Sequence, residues 1–246
     1  MTYFTENFPT SEQISKDLSD FGCKIYPNAV KPEIYQKIRD FWLDYFSTNK
    51  PNRDVARGNI MLGEQNFNSY SDTKFWKLFR HFDFLWNEPT HELSNNVAID
   101  IHKKRNLAQG NPETYGLNYN SQCYGVYIST SYYMPNTGFC KIHADAHDKD
   151  VPLIHFMLPI TFKNSDYQKG GLFCYDKSGK KIDVDEEMEP GSIVFYDGRQ
   201  EHGVDTIVPY PEKNIGRLAI FAIPTFFIRK DEKLTGKSRF SRFLKN

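Results

Sequence analysis

Gly138-Phe139-Cys140-Lys141-Ile142-His143-Ala144-Asp145 is answered much later in the chain by Glu201-His202-Gly203-Val204. On an extended segment successive side chains point to opposite faces, so His143 and Asp145, two residues apart, share one face. A histidine from a distant strand would complete a three-ligand face on a metal ion and leave the opposite coordination positions open. His202 lies 59 residues beyond His143, a separation that suits two strands from opposite ends of a barrel which pair in space. Glu201 and Asp205 flank it but would point away from the same site. Two further histidines compete. His147 sits in the loop-like Ala146-His147-Asp148-Lys149-Asp150 and reads as surface. His155, within Leu153-Ile154-His155-Phe156, reads as a hydrogen-bonded core histidine.

The surroundings of these residues are β-rich. Gln122–Tyr133, Cys140–Asp145, Val151–Phe162, Gly171–Tyr175, Ser192–Tyr196, Gly203–Val208 and Arg217–Phe227 read as strands. Turn-forming clusters separate them, among them Pro135-Asn136-Thr137-Gly138, Lys177-Ser178-Gly179-Lys180 and Pro190-Gly191. Residues 121–228 therefore predict a double-stranded β-helix, a jelly-roll or cupin-like barrel.

Residues 1–120 read as helical support with a lid-like loop. Thr10-Ser11-Glu12-Gln13 is a capping box, followed by the stripe Ile14, Leu18, Phe21 and a stop at Gly22. Pro32 opens a second helix with Ile34, Ile38, Phe41 and Tyr45 on one face. The aromatic-rich Lys74–Trp86 reads as a helical patch, and Pro89 as the start of another helix carrying Leu93, Val97 and Ile101. Residues 48–72 read as a polar loop, of the kind that covers a binding site. Arg57, Asn59 and Asn68 are its candidate substrate contacts.

Length and composition bound the rest. A chain of 246 residues suits a single domain with a sizeable core. Its 31 Lys and Arg balance 31 Asp and Glu, so no field favours nucleic acid. The basic stretch 229–246 reads as a solvated tail. No apolar run approaches the ~18 residues of a membrane helix. The first residues lack a basic and an apolar export region, and the four cysteines show no metal spacing. A cytoplasmic protein with reduced thiols is the expectation.

Arg217 opens the apolar run Leu218–Ile223, where a buried guanidinium demands an anion. A cosubstrate carboxylate held through two parallel hydrogen bonds would meet it, and so would a carboxylate of the protein.

Tyr133-Met134-Pro135-Asn136-Thr137-Gly138 leading to His143 and Asp145, then Gly170-Gly171-Leu172-Phe173, Pro190-Gly191, His202-Gly203-Val204 and Gly216-Arg217, occur in one order. Together they resemble the Fe(II)/2-oxoglutarate-dependent dioxygenase superfamily, most of all its prolyl-hydroxylase-type branch. The Leu18–Trp42 stretch is similar to the opening of phytanoyl-CoA-hydroxylase-type members. The resemblance implies iron on His143, Asp145 and His202, with 2-oxoglutarate and O2 as cosubstrates and Arg217 meeting the far carboxylate of 2-oxoglutarate. Tyr133 and Tyr127, on the strand before the iron motif, become candidate cosubstrate contacts. The implied reaction is hydroxylation of an unactivated C–H bond of a small polar metabolite, an amino acid or sugar derivative. A peptidyl hydroxylase and a non-catalytic cupin-like metal-binding protein are the alternatives. No nucleic-acid or membrane partner is expected.

Overall fold

Thr10 caps the first helix as its sequence requires: the Thr10 hydroxyl accepts from the Gln13 backbone N–H, and Gly22 closes the helix at φ 81°. The computed structural model describes residues 2–54, 60–118, 124–145 and 153–226. Its helices are α1 (Ser11–Phe21), α2 (Pro32–Thr48) and α3 (Glu92–Ala108). Its strands are β1 (Cys23–Tyr26), β2 (Arg53–Asp54), β3 (Phe67–Asp72), β4 (Trp76–Phe84), β5 (Tyr124–Tyr133) and β6 (Phe139–His143). There follow β7 (Ile154–Pro159), β8 (Tyr167–Tyr175), β9 (Lys181–Asp183), β10 (Ile193–Asp197), β11 (His202–Pro209) and β12 (Arg217–Phe226).

The strands form one curled, antiparallel path, β1-β10-β7-β12-β5-β4-β6-β11-β8-β9. Its two halves are the two sheets of a jelly roll. One half joins β5, β12, β7 and β10, and the other joins β6, β11, β8 and β9. β4 bridges them, because Phe79–Phe84 pair with β5 while Trp76 and Lys77 pair with β6. The mainly β jelly roll with helical support expected from the sequence is the fold observed.

The helices cover the outer face of the β4–β5–β12–β7 half. Trp42 of α2 is buried and donates to Ser94 of α3, at 2.8 Å. Phe46 of α2 meets Phe79 of β4 at 4.8 Å between ring centroids. Arg105 of α3 donates to the Ile154 carbonyl at the start of β7, tying the helical layer to the strand that carries His155.

Two expectations change. Lys74–Trp86 is not a helix, since Trp76–Phe84 is a strand buried on both faces. Its even residues, Arg80, Phe82 and Phe84, face the barrel interior, and its odd residues Phe79, His81 and Asp83 face the helices. A strand with apolar groups on both faces loses the alternation that marks a half-buried strand. Part of the 48–72 loop is likewise strand, with Phe67–Asp72 pairing along β4. The helix expected from Pro89 begins at Glu92. The 229–246 tail lies outside the described residues.

Candidate metal centre

The β11–β6 register places His202 directly opposite His143, with an irregularity between His202 and Val204. Their ring centroids are 4.4 Å apart. Asp145 follows on the stretch leaving β6, and its backbone N–H donates to the Gly198 carbonyl beyond β10, at 2.8 Å. One ligand atom from each of His143, Asp145 and His202 can be chosen so that all lie within 4.8 Å of one another. Among the described residues no other group of three such side chains converges in this way.

The histidine tautomers follow from their partners. Nδ1 of His143 is 2.7 Å from the Lys141 carbonyl, and Nδ1 of His202 is 3.0 Å from the Gln200 carbonyl. A carbonyl only accepts, so each Nδ1 carries the proton and each Nε2 presents a lone pair. Both Nε2 atoms lie 3.5 Å from Asp145, one beside each carboxylate oxygen. Two neutral imidazoles and one ionised carboxylate on a stiff sheet are the donor set that suits Fe(II) with open positions. The residues fit the metal.

His155 joins this site instead of standing apart in the core. Its Nε2 is 3.1 Å from Asp145 Oδ2, off the axis of a well-formed hydrogen bond. Burial pushes the His155 imidazole down, opposed by Asp145. Gly198 leaves room for this contact, because a Cβ there would run into the His155 ring. The Tyr196 ring backs both His155 and His202, at 5.3 and 5.1 Å.

Arg217 is met by the protein. Its Nε and Nη2 donate to Asp185 at 2.5 and 3.0 Å, and the pair is buried. Asp185 accepts two more hydrogen bonds, from the Tyr167 hydroxyl and the Leu172 N–H. Of the two partners the sequence allowed, the protein carboxylate is present, and only Nη1 of Arg217 is left without a hydrogen bond.

Tyr133 neighbours Arg217 across β5 and β12, and its ring centroid is 6.0 Å from the guanidinium carbon. Tyr127 packs at the other end of the barrel in an aromatic cluster with Phe82 and Phe84. Asn68 does not face the site. It points to the helical side, where its side-chain oxygen bonds Tyr45 and His81, a consequence of β3 pairing with β4. Arg57, Asn59 and His147 lie outside the described residues.

No family model matches the chain, and no curated protein matches it in sequence. Solved structures do match in fold. A prolyl-4-hydroxylase from Pseudomonas putida superposes with a TM-score of 0.58 at 15% identity, covering 90% of this chain and 100% of that one. The non-heme alpha-ketoglutarate-dependent epimerase SnoN of nogalamycin biosynthesis gives 0.56 at 9% identity, covering 88% and 82%. JOX2 in complex with 2OG, Fe and JA gives 0.51 at 17% identity, covering 87% and 70%. The fold is that of the 2OG-Fe(II) oxygenases, and the His143–Asp145–His202 cluster is a group of side chains able to hold a metal ion. No helix among the described residues is long and apolar enough to cross a membrane.

Proposed function

We propose that the chain is an Fe(II)/2-oxoglutarate-dependent oxygenase that hydroxylates a C–H bond of a small polar metabolite, an amino acid or sugar derivative. The observation that carries this reading is the convergence of His143, Asp145 and His202 on one interior face, with both Nε2 lone pairs free. When bound, iron, 2-oxoglutarate and O2 supply the oxidation: one oxygen atom enters the substrate C–H bond, and the other enters succinate as CO2 leaves.

The protein's part is placement. The Lys141 and Gln200 carbonyls fix the two imidazoles, the His155 ring limits the swing of the Asp145 carboxylate, and Tyr196 walls the site from the core. The unpartnered buried Nη1 of Arg217 and Nε of Arg80 are donors able to meet a dianionic cosubstrate.

A second reading, a peptidyl hydroxylase, is favoured by one feature. Phe75, Trp76 and Ile142 are exposed at 50, 37 and 47%, and the Phe75 carbonyl bonds the Lys141 N–H beside the His143 strand. Exposed apolar side chains on and beside the strand that carries His143 suit a peptide.

The test is succinate formation from 2-oxoglutarate by the Fe(II)-loaded chain, with metabolite and peptide panels run in parallel. Stimulated succinate with a metabolite supports the first reading, and with a peptide the second. The absence of both 2-oxoglutarate binding and succinate formation overturns the oxygenase reading.

A further inference from the structure

We propose that Cys23 of β1 and Cys174 of β8 form a redox pair: peroxide closes them to a disulfide, and the disulfide loosens the metal centre. This rests on the assignment of that centre to His143, Asp145 and His202, and adds its regulation.

The two thiols come from the two halves of the barrel. Cys23 lies directly opposite Tyr196 in the β1–β10 register, and Cys174 directly opposite His202 in the β8–β11 register. Residues opposite one another on antiparallel strands share a face. The Tyr196 and His202 rings meet in the interior, 5.1 Å apart, so the two cysteines are carried to the same place. Both are free and buried, and their thiols are within hydrogen-bond reach of one another. The backbone around them fits this contact. A Cβ on Gly22 would lie 3.6 Å from Gln200 Cγ and 3.8 Å from the Lys177 backbone nitrogen. The Tyr175 N–H donates to the Glu201 carbonyl at 2.8 Å. The start of β1 therefore rests on the end of β8 and on the approach to β11. Only thiols already brought this close can be bridged without moving whole strands.

Each thiol is also coupled to a metal donor. Cys174 shares its rung with His202. On the other side, the Asp197 N–H donates to the Gly22 carbonyl at 2.8 Å, and the carbonyl of the next residue, Gly198, accepts from the Asp145 N–H, also at 2.8 Å. Closing the thiol contact to a bond of about 2 Å draws the two rungs together. His202 moves with one and Asp145 with the other. A metal site needs its donors held within about 0.5 Å, so the grip on the ion weakens.

Cys23 reacts first. It is 7% exposed against 1% for Cys174, and β1 is a four-residue strand at the end of the sheet path, which opens at less cost than an interior strand. Its Sγ, after losing the thiol proton, attacks one oxygen of hydrogen peroxide. The O–O bond breaks, the departing hydroxide takes up the proton as water, and Cys23 becomes a sulfenic acid. Cys174 Sγ then attacks Cys23 Sγ, the S–O bond breaks, and the hydroxyl leaves with the Cys174 proton as a second water. The two sulfurs give up two electrons, and the two peroxide oxygens take one each. Thiol exchange with a reductant reverses the change.

The experiment treats the full chain with hydrogen peroxide, removes the oxidant, maps disulfide-linked peptides by mass spectrometry and measures Mn(II) affinity by calorimetry. A Cys23–Cys174 peptide lighter by two hydrogens should appear, and Mn(II) affinity should fall at least about tenfold and return after reduction with a phosphine. Cys23→Ala and Cys174→Ala should each keep their Mn(II) affinity through peroxide treatment, whereas Cys140→Ser should respond as the wild type does. Where an alanine variant fails to fold, the peptide map of the wild type, before and after reduction, still decides whether the bond forms. Oxidation of other thiols without this cross-link overturns the proposal. So does a cross-linked chain whose Mn(II) affinity stays within about threefold, or an equal loss of affinity in the Cys23→Ala variant. A reduced wild type that binds no Mn(II) overturns the metal centre and the switch with it, a result distinct from failure of the cross-link in a chain that binds the metal.

Discussion

Asp185→Asn should be among the most destabilising single changes in the protein. Asp185 accepts four hydrogen bonds: 2.5 and 3.0 Å from Arg217, 2.6 Å from the Tyr167 hydroxyl and 2.9 Å from the Leu172 N–H. Burial pushes the Arg217 guanidinium down, but the Asp185 charge and hydrogen bonds outweigh it and raise it above its ordinary value. An asparagine keeps one acceptor oxygen and no charge, so the Arg217 cation would remain buried and unmatched. Breaking a buried pair by removing one partner costs about 3–5 kcal/mol. For a domain of this size about 2–4 °C of melting temperature accompanies each kcal/mol, so the midpoint should fall by about 6–20 °C. Arg217→Met combined with Asp185→Asn should recover most of that loss, because no charge is left unpaired. Urea denaturation of the wild type, both single variants and the double variant measures the coupling directly. A cost below about 1 kcal/mol for Asp185→Asn, or strictly additive single effects, refutes the buried pair as a structural unit.

Three further outcomes follow from the same geometry. His143→Ala and His202→Ala should each abolish stoichiometric Fe(II) binding while melting within a few degrees of wild type, and retained full-affinity binding in both would remove the assigned centre. Gly198→Ala pushes the His155 ring off Asp145 and should lower metal affinity about tenfold, measured by competition with a chelator; unchanged affinity would show that His155 does not orient the carboxylate. His102, buried against Arg105, has its pKa lowered from 6.5 to about 3 by burial and then by the Arg105 charge. A depressed histidine leaves the folded state uncharged while the unfolded chain takes up the proton below 6.5, so stability is lost as pH falls through that value. Between pH 8 and pH 5 the loss should be about 2 kcal/mol, it should vanish in His102→Gln, and an unchanged pH slope in that variant would refute the assignment.

The cluster of His143, Asp145 and His202 was legible because each member rests on a local rule. Period-2 alternation aligns His143 with Asp145, and turn chemistry bounds the strand that His202 opens. The barrel was legible for the same reason, strand by strand. β4 was not, since it buries both faces and its aromatics at 75, 76, 79, 82 and 86 fall at intervals that imitate a helical stripe. Asn68 was misplaced as a consequence: once Phe67–Asp72 pairs with β4, alternation alone turns Asn68 toward Tyr45 and His81. The partners of Arg217 and His155 had no local signal. Asp185 meets Arg217 because the 3₁₀ turn Val184–Glu186 packs on β8, and His155 meets Asp145 through the bond from Asp145 to the Gly198 carbonyl. Both depend on contacts between segments far apart in sequence.

The burial of the three donors also shows from which side the centre is reached. His202 is buried, backed by Tyr196 and set opposite Cys174 of β8, so no ligand approaches past it. His143 and Asp145 have side chains 40 and 42% exposed. The accessible side is therefore that of β6, where Phe75, Trp76 and Ile142 also show.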